Sequence, residues 1–255
     1  MKTALVLSAG GMFGAWQAGA WKAIAGSFEP DLVVGASIGA VNGWAIAGGC
    51  PPDELIDAWL NLEAAGTFRW QVPRRPHHGV LDSEPLIQVI RGIHAAYRPR
   101  TEFALVVTDL MKLRPRIVKH PEVTWEHLAA STALVGIFDQ IRLEGRLYSD
   151  GGLLSALPIW AAAELGATRI VALDVLPQSP GLVAKTFVRT MRMIAPFRPV
   201  VPEGIEVIRL SPPKLLGSAL EALKWKRENA EAWVRQGERD AATLKHLLLN
   251  CFERQ

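Results

Sequence analysis

Short apolar, β-rich runs alternate with stretches whose apolar residues recur at helical spacing, and this alternation sets the reading of the chain. Thr3 to Ser8 is expected to be a strand, Gly14 to Ala25 a helix, Asp31 to Val34 a strand and Ile38 to Gly48 a helix. A further helix starts at Pro52 and Asp53, since proline suits a first turn and an acid complements the helix dipole, and runs to about Ala65. The segment "RWQVPRRPHHG" reads as a basic, proline-bearing loop. Ser83-Glu84-Pro85 is expected to cap a helix that ends near Ala95.

"EFALVVTDL" and "RPRIVKH" read as strands paired through a turn near Lys112, followed by a short helix from Trp125 to Ala130. "IRLEG" and "RLYSDGG" come next, then a helix from Pro158 to Leu165. "RIVALDV" is apolar on both faces, as a central strand of a parallel sheet should be. "EVIRL" is a last strand, and a long helix from Ala219 to Leu249 closes the pattern. Strands alternating with helices imply an α/β fold, a three-layer α/β/α sandwich around a mostly parallel sheet.

Composition narrows this picture. A chain of 255 residues that is 49% hydrophobic can bury one large core, so a single domain over 1–255 is expected. The formal net charge is only +3 and there is no long run of like charge, which disfavours nucleic acid as a partner. Cys50 and Cys251 are too few for a disulfide framework or a zinc site. His77 and His78 lack the acidic or cysteine neighbours of a metal site, so no metal or other cofactor is expected. The start of the chain superficially resembles a secretory signal, but the strand-like Leu5-Val6-Leu7 and the glycines after it argue against a cleaved leader. No uninterrupted run of about 18 apolar residues suggests a membrane-spanning helix, so a cytoplasmic protein is expected.

The candidate chemistry lies in three glycine-bearing turns. "VVGASIGA" contains G-x-S-x-G between a strand and a helix, with Ser37 on the sharp turn and Gly35 and Gly39 where side chains would collide. The helix that follows aims its positive end at the serine. "SAGGMFG" follows the first strand, and the amides of Gly10, Gly11 and Met12 could receive an anion, either a nucleotide phosphate or the oxyanion of acyl transfer. Neither G-x-G-x-x-G nor the Walker sequence is present, which weakens the nucleotide reading. "YSDGG" ends a strand with Asp150, Gly151 and Gly152. Alone it is an ordinary Asp-Gly turn, but beside the other two it supplies a candidate base.

The histidine of a serine triad fits poorly. Only His246 follows Asp150, on a helix where it reads as a surface residue. A carboxylate that deprotonates the serine directly removes the difficulty.

Together the three turns resemble the patatin-like phospholipase family. The resemblance covers roughly residues 3 to 175, through "SAGGMFGAWQAG", "GASIG", "GVLDSEPL", "FALVVTDL", "AASTA" and "SDGG". It implies a patatin-like fold and a Ser–Asp dyad with Ser37 as nucleophile and Asp150 as general base. The amides at Gly10, Gly11 and Met12 become the oxyanion hole, with Gly35, Gly39, Gly151 and Gly152 supporting the elbow and the dyad turn. Residues 178–255 form a more divergent C-terminal part. The implied activity is lipid acyl hydrolysis through an acyl-enzyme. Two departures stand out: Phe13 replaces a usual basic residue, and Ala156 replaces a frequent asparagine. They turn the expectation toward neutral esters or thioesters and leave a non-catalytic lipid-binding protein as the alternative. The basic and apolar segment "VAKTFVRTMRMIAPFRPV" reads as an amphipathic helix for peripheral membrane contact, for an acyl-pocket cap, or for ordinary packing.

Overall fold

The computed structural model describes residues 1–62, 69–176, 190–191 and 193–252, with side chains as far as Thr243. In chain order the elements are β1 (Thr3–Leu7), α1 (Gly14–Ile24), β2 (Leu32–Ala36), α2 (Ile38–Ala47), α3 (Pro52–Leu60), α4 (Glu84–Ala96), β3 (Glu102–Asp109), β4 (Arg114–Lys119), α5 (Trp125–Thr132), β5 (Ile141–Leu143), β6 (Arg146–Ser149), α6 (Ile159–Glu164), β7 (Arg169–Leu173), β8 (Glu206–Leu210) and α7 (Arg227–Phe252). A short 3₁₀ turn, Gly11–Phe13, leads into α1.

The sheet runs β5-β6-β3-β2-β1-β7-β8, with β4 also paired to β3. The five strands from β3 to β8 are parallel; β4, β5 and β6 are antiparallel additions. β1 is central because both faces of its backbone ladder are taken, by Leu32–Gly35 on one side and Arg169–Leu173 on the other. Its side chains alternate. Leu5 and Leu7 face a large core under α1, α2, α3 and α7, whereas Ala4 and Val6 face a thinner layer. That second layer is built mainly by Trp160, Ala161 and Ala162 of α6, with Phe197 packed against it. The three-layer α/β/α architecture is therefore present but lopsided.

Three local expectations differ from the structure. Ser83 precedes α4 without capping it: its hydroxyl accepts the Asp139 amide, and Asp82 holds the Glu84 amide instead. The last helix begins at Arg227 rather than Ala219. Residues 218–224 form a separate single turn, in which Ser218 and Glu221 cap each other. The turn bonds to the glycine loop through the Ala222 carbonyl, and Trp225 just after it donates to the Trp59 carbonyl of α3. Helix α3 ends at Leu60 with Asn61 and Leu62 in a turn, short of the expected end near Ala65; residues 63–65 lie outside the described residues. Part of the expected amphipathic helix, residues 183–189 and 192, lies outside them too.

Candidate active site

β2 runs straight into the elbow. Ser37 follows Ala36, the last residue of the strand, and is the N-cap of α2 with φ 55° and ψ −131°. A positive φ is costly for a residue with a side chain and is held only where the surroundings fix it. Here Gly39 lets the first turn of α2 lie directly on the end of β1: a Cβ on Gly39 would stand 2.5 Å from the carbonyl oxygens of both Leu7 and Ser8. The Ser37 amide donates to the Ser131 hydroxyl at 2.9 Å. Ser37 sits at the positive end of a ten-residue helix, where negative charge is favoured.

The C-terminal end of α5 holds the third turn. The amides of Asp150 and Gly151 donate to the carbonyls of Ala133 (2.9 Å) and Ser131 (3.1 Å), and the Thr108 hydroxyl donates to the Asp150 carbonyl at 2.8 Å. The fold thus brings Ser37 and Asp150 together at the C-terminal end of α5. Asp150 is buried, at 1% exposure. Burial pushes its carboxyl up to about 6, while the nearby Ser37 hydroxyl and the Gly152 amide pull it back down. Oδ1 accepts the Gly152 amide at 2.6 Å, but among the described residues Oδ2 has no hydrogen-bond partner. The Ser37 hydroxyl is therefore close enough to favour the carboxylate without a well-aligned bond to Oδ2, and catalytic hydrogen bonds commonly tighten only when substrate is bound.

The glycine loop lies alongside. Gly11 adopts φ +56°, and among the described residues the amides of Gly10 and Gly11 have no hydrogen-bond partner. The Met12 amide differs. It donates to the Ala222 carbonyl at 2.8 Å, so the single turn at 218–224 straps the loop from outside. Both ends of the loop are anchored by a buried amide pair. Gln17 Nε2 donates to the Ser8 carbonyl at 2.9 Å, and Asn42 Nδ2 donates to the Gly14 carbonyl and to Gln17 Oε1, each at 3.0 Å. Trp59 Nε1 donates to Asn42 Oδ1 at 3.0 Å. A cavity of about 30 Å³ lies at Ser37, bounded by Gly11, Met12, Ser37 and Ala222 and by the apolar Leu86, Leu134, Phe138 and Leu223. It has no room for an acyl chain.

A model of patatin-like phospholipases matches residues 5–163, from β1 through most of α6, and so spans all three turns. The chain belongs to the patatin-like phospholipase family. It is 28% identical over 209 residues to lysophospholipase nte1 of Aspergillus terreus, covering 77% of this chain and 14% of that much longer protein. Its fold is similar to that of VipD from Legionella pneumophila, with a TM-score of 0.53 at 13% identity, over 98% of this chain and 67% of that one.

Within this patatin-like fold the Phe13 departure has a packing cause. Phe13 is fully buried, edge-on to Trp233 of α7 at 5.0 Å, so it belongs to the core. Trp16 and Trp44 are likewise buried, as core packing predicts. No histidine with a described side chain bonds to Ser37 or Asp150: His127 caps α5 through Nδ1, and His94 stacks on Trp44. The side chain of His246 lies outside the described residues. Among the described residues no cluster of three His, Cys, Asp or Glu is placed to hold a metal ion, and no helix is long and apolar enough to cross a membrane.

Sequence reasoning missed two parts of the site. Ser131 stands in "AASTA", a segment with helical spacing but no chemical signal of its own. The strap was hidden because Ala219 to Leu249 reads as one helical pattern, whereas the helix itself begins at Arg227.

Proposed function

We propose that this protein is a lipid acyl hydrolase that cleaves carboxylic esters through a Ser37–Asp150 dyad and an acyl-enzyme. The observation that carries this reading is the buried Asp150 Oδ2, an oxygen without a hydrogen-bond donor beside a serine on a strained elbow. Asp150 takes the Ser37 proton as Oγ attacks the ester carbonyl. The amides of the glycine loop receive the oxyanion; the C–O bond then breaks, and the alcohol leaves with the proton from Asp150. Water attacks the acyl-enzyme, gives its proton to Asp150, and the acid departs as Ser37 Oγ is reprotonated. Each oxyanion donor in such a site contributes about 10² to 10³ in turnover.

Membership of the patatin-like phospholipase family and the similarity to a lysophospholipase support lipid esters as substrates. The loop at 69–79 supports peripheral membrane contact. It exposes Trp70 and Val72 beside Arg69, Arg74 and Arg75, and it is bonded to the segment that lines the cavity, through Leu81 to Ile137 and Gly79 to Asp139. Acyl chains enter when the 218–224 strap withdraws, which also frees the Met12 amide.

The test is a p-nitrophenyl ester series of rising acyl length. Wild type turns these over and Ser37→Ala does not; turnover retained by Ser37→Ala would refute the reading, and absence of turnover in wild type would favour a lipid-binding protein. In the same series Leu223→Ala, which removes a side chain that closes the cavity, is expected to raise kcat/KM for long chains several-fold more than for acetate. Equal effects at all lengths would count against the strap as the entrance.

A further inference from the structure

We infer that Ser131 is a positioning residue, whose hydroxyl is inserted into the β2–β3 ladder to hold the nucleophile in line with its base. The inference rests on the acyl-transfer reading above and goes beyond it.

The β2–β3 pairing ends at Ala36 opposite Val106. In a parallel ladder the next amide, that of Ser37, would reach the Val106 carbonyl directly. Instead the Ser131 hydroxyl stands between them. It accepts the Ser37 amide at 2.9 Å and donates to the Val106 oxygen at 2.8 Å. Two bonds meeting at a tetrahedral oxygen set that amide and carbonyl roughly 2 Å further apart than a direct bond would. The strands are thus spread by one hydroxyl where β2 becomes the elbow.

The same residue also holds the base. Its carbonyl accepts the Gly151 amide at 3.1 Å. Gly151 in turn lies so close to Val106 that a Cβ on it would stand 1.9 Å from the Val106 oxygen. The elbow, the dyad turn and the end of the β2–β3 pairing therefore all bear on Ser131, which is fully buried. Without the hydroxyl, the Ser37 amide and the Val106 carbonyl either lose their partners or close on each other. Closure draws the serine toward β3 and presses Val106 against Gly151. A displacement of about 1 Å at a reacting group costs on the order of 10²-fold in rate.

The experiment follows the rate of fluorophosphonate labelling, kcat and KM on a short ester, and hydrogen exchange of the Ser37 amide, in wild type, Ser131→Ala and Ser131→Thr. Thr3→Val, which removes buried hydroxyl bonds at the far end of β1, serves as a stability control. Ser131→Ala is expected to slow labelling and lower kcat by about 10- to 100-fold with KM changed less than about threefold, and to deprotect the Ser37 amide. Ser131→Thr keeps the hydroxyl and recovers most of both. Thr3→Val keeps the wild-type rate and exchange. Wild-type labelling in Ser131→Ala, or equal rate losses in Ser131→Ala and Thr3→Val, would overturn the inference. If wild type neither labels nor turns over ester, the acyl-transfer reading fails, and amide exchange decides by itself: protection lost in Ser131→Ala and restored in Ser131→Thr supports the inserted hydroxyl, and unchanged protection refutes it.

Discussion

Asp150→Asn is expected to lower turnover by at least about 10³-fold and, at pH 8, to raise the melting temperature. The asparagine keeps an oxygen for the Gly152 amide, but its NH₂ faces Ser37 as a donor and takes no proton. The stability gain follows from burial. A carboxyl raised from 3.8 to about 6 binds its proton more readily folded than unfolded. Stability therefore falls as pH rises between these values, and above pH 6 the cost of the buried carboxylate is fully present, about 3 kcal/mol. Removing that charge returns part of this cost, worth a few degrees in a chain of this size. The gain shrinks below pH 6, is small at pH 4, and disappears only below 3.8, where the wild-type carboxyl is neutral in both states. In wild type, kcat/KM rises with pH through about 6 as the base ionises. Thermal melts of both proteins from pH 4 to pH 8 check the first point. A variant less stable than wild type at pH 8 would show that the carboxylate is better solvated than its burial implies.

Gly39→Ala is expected to cost about 3 kcal/mol or more, because both atoms that its Cβ meets are strand carbonyls and neither can swing aside. Helix α2 would have to lift off β1, carrying Ser37 with it, so activity falls along with stability. Gly92→Ala is the contrast. Gly92 lies within α4, and nothing stands within 4 Å of the added methyl. There alanine is expected to stabilise by about 0.5–1 kcal/mol through backbone entropy and helix propensity. Urea midpoints of the two variants check both signs. A neutral Gly39→Ala would mean that the elbow backbone is more yielding than its packing suggests.

The outline of this fold was legible because β1, β2 and β7 are buried on both faces and so read as apolar runs. The Ser37 elbow was legible because Gly35 and Gly39 mark the close approach of α2 to the sheet. Asp150 became a candidate only through its company, since Asp-Gly is also an ordinary turn. What could not be read depends on contacts between distant segments. The Ala222 carbonyl that takes the Met12 amide leaves no mark on the periodicity of residues 219–249. Ser131 acts through a hydroxyl at the end of a helix that resembles any other. Phe13 showed as a departure from the family, yet its meaning, a ring against Trp233, depends on where α7 packs. Ser83 has the composition of a cap, but its hydroxyl is engaged by the Asp139 amide.

The most direct measurement is the site and rate of covalent labelling by a fluorophosphonate, read by intact mass and peptide mapping for wild type, Ser37→Ala and Asp150→Asn. A single adduct on Ser37 in wild type, none in Ser37→Ala, and labelling slowed by at least about 10³-fold in Asp150→Asn is the result expected of the dyad. An adduct on another residue, or wild-type labelling in Asp150→Asn, would contradict it.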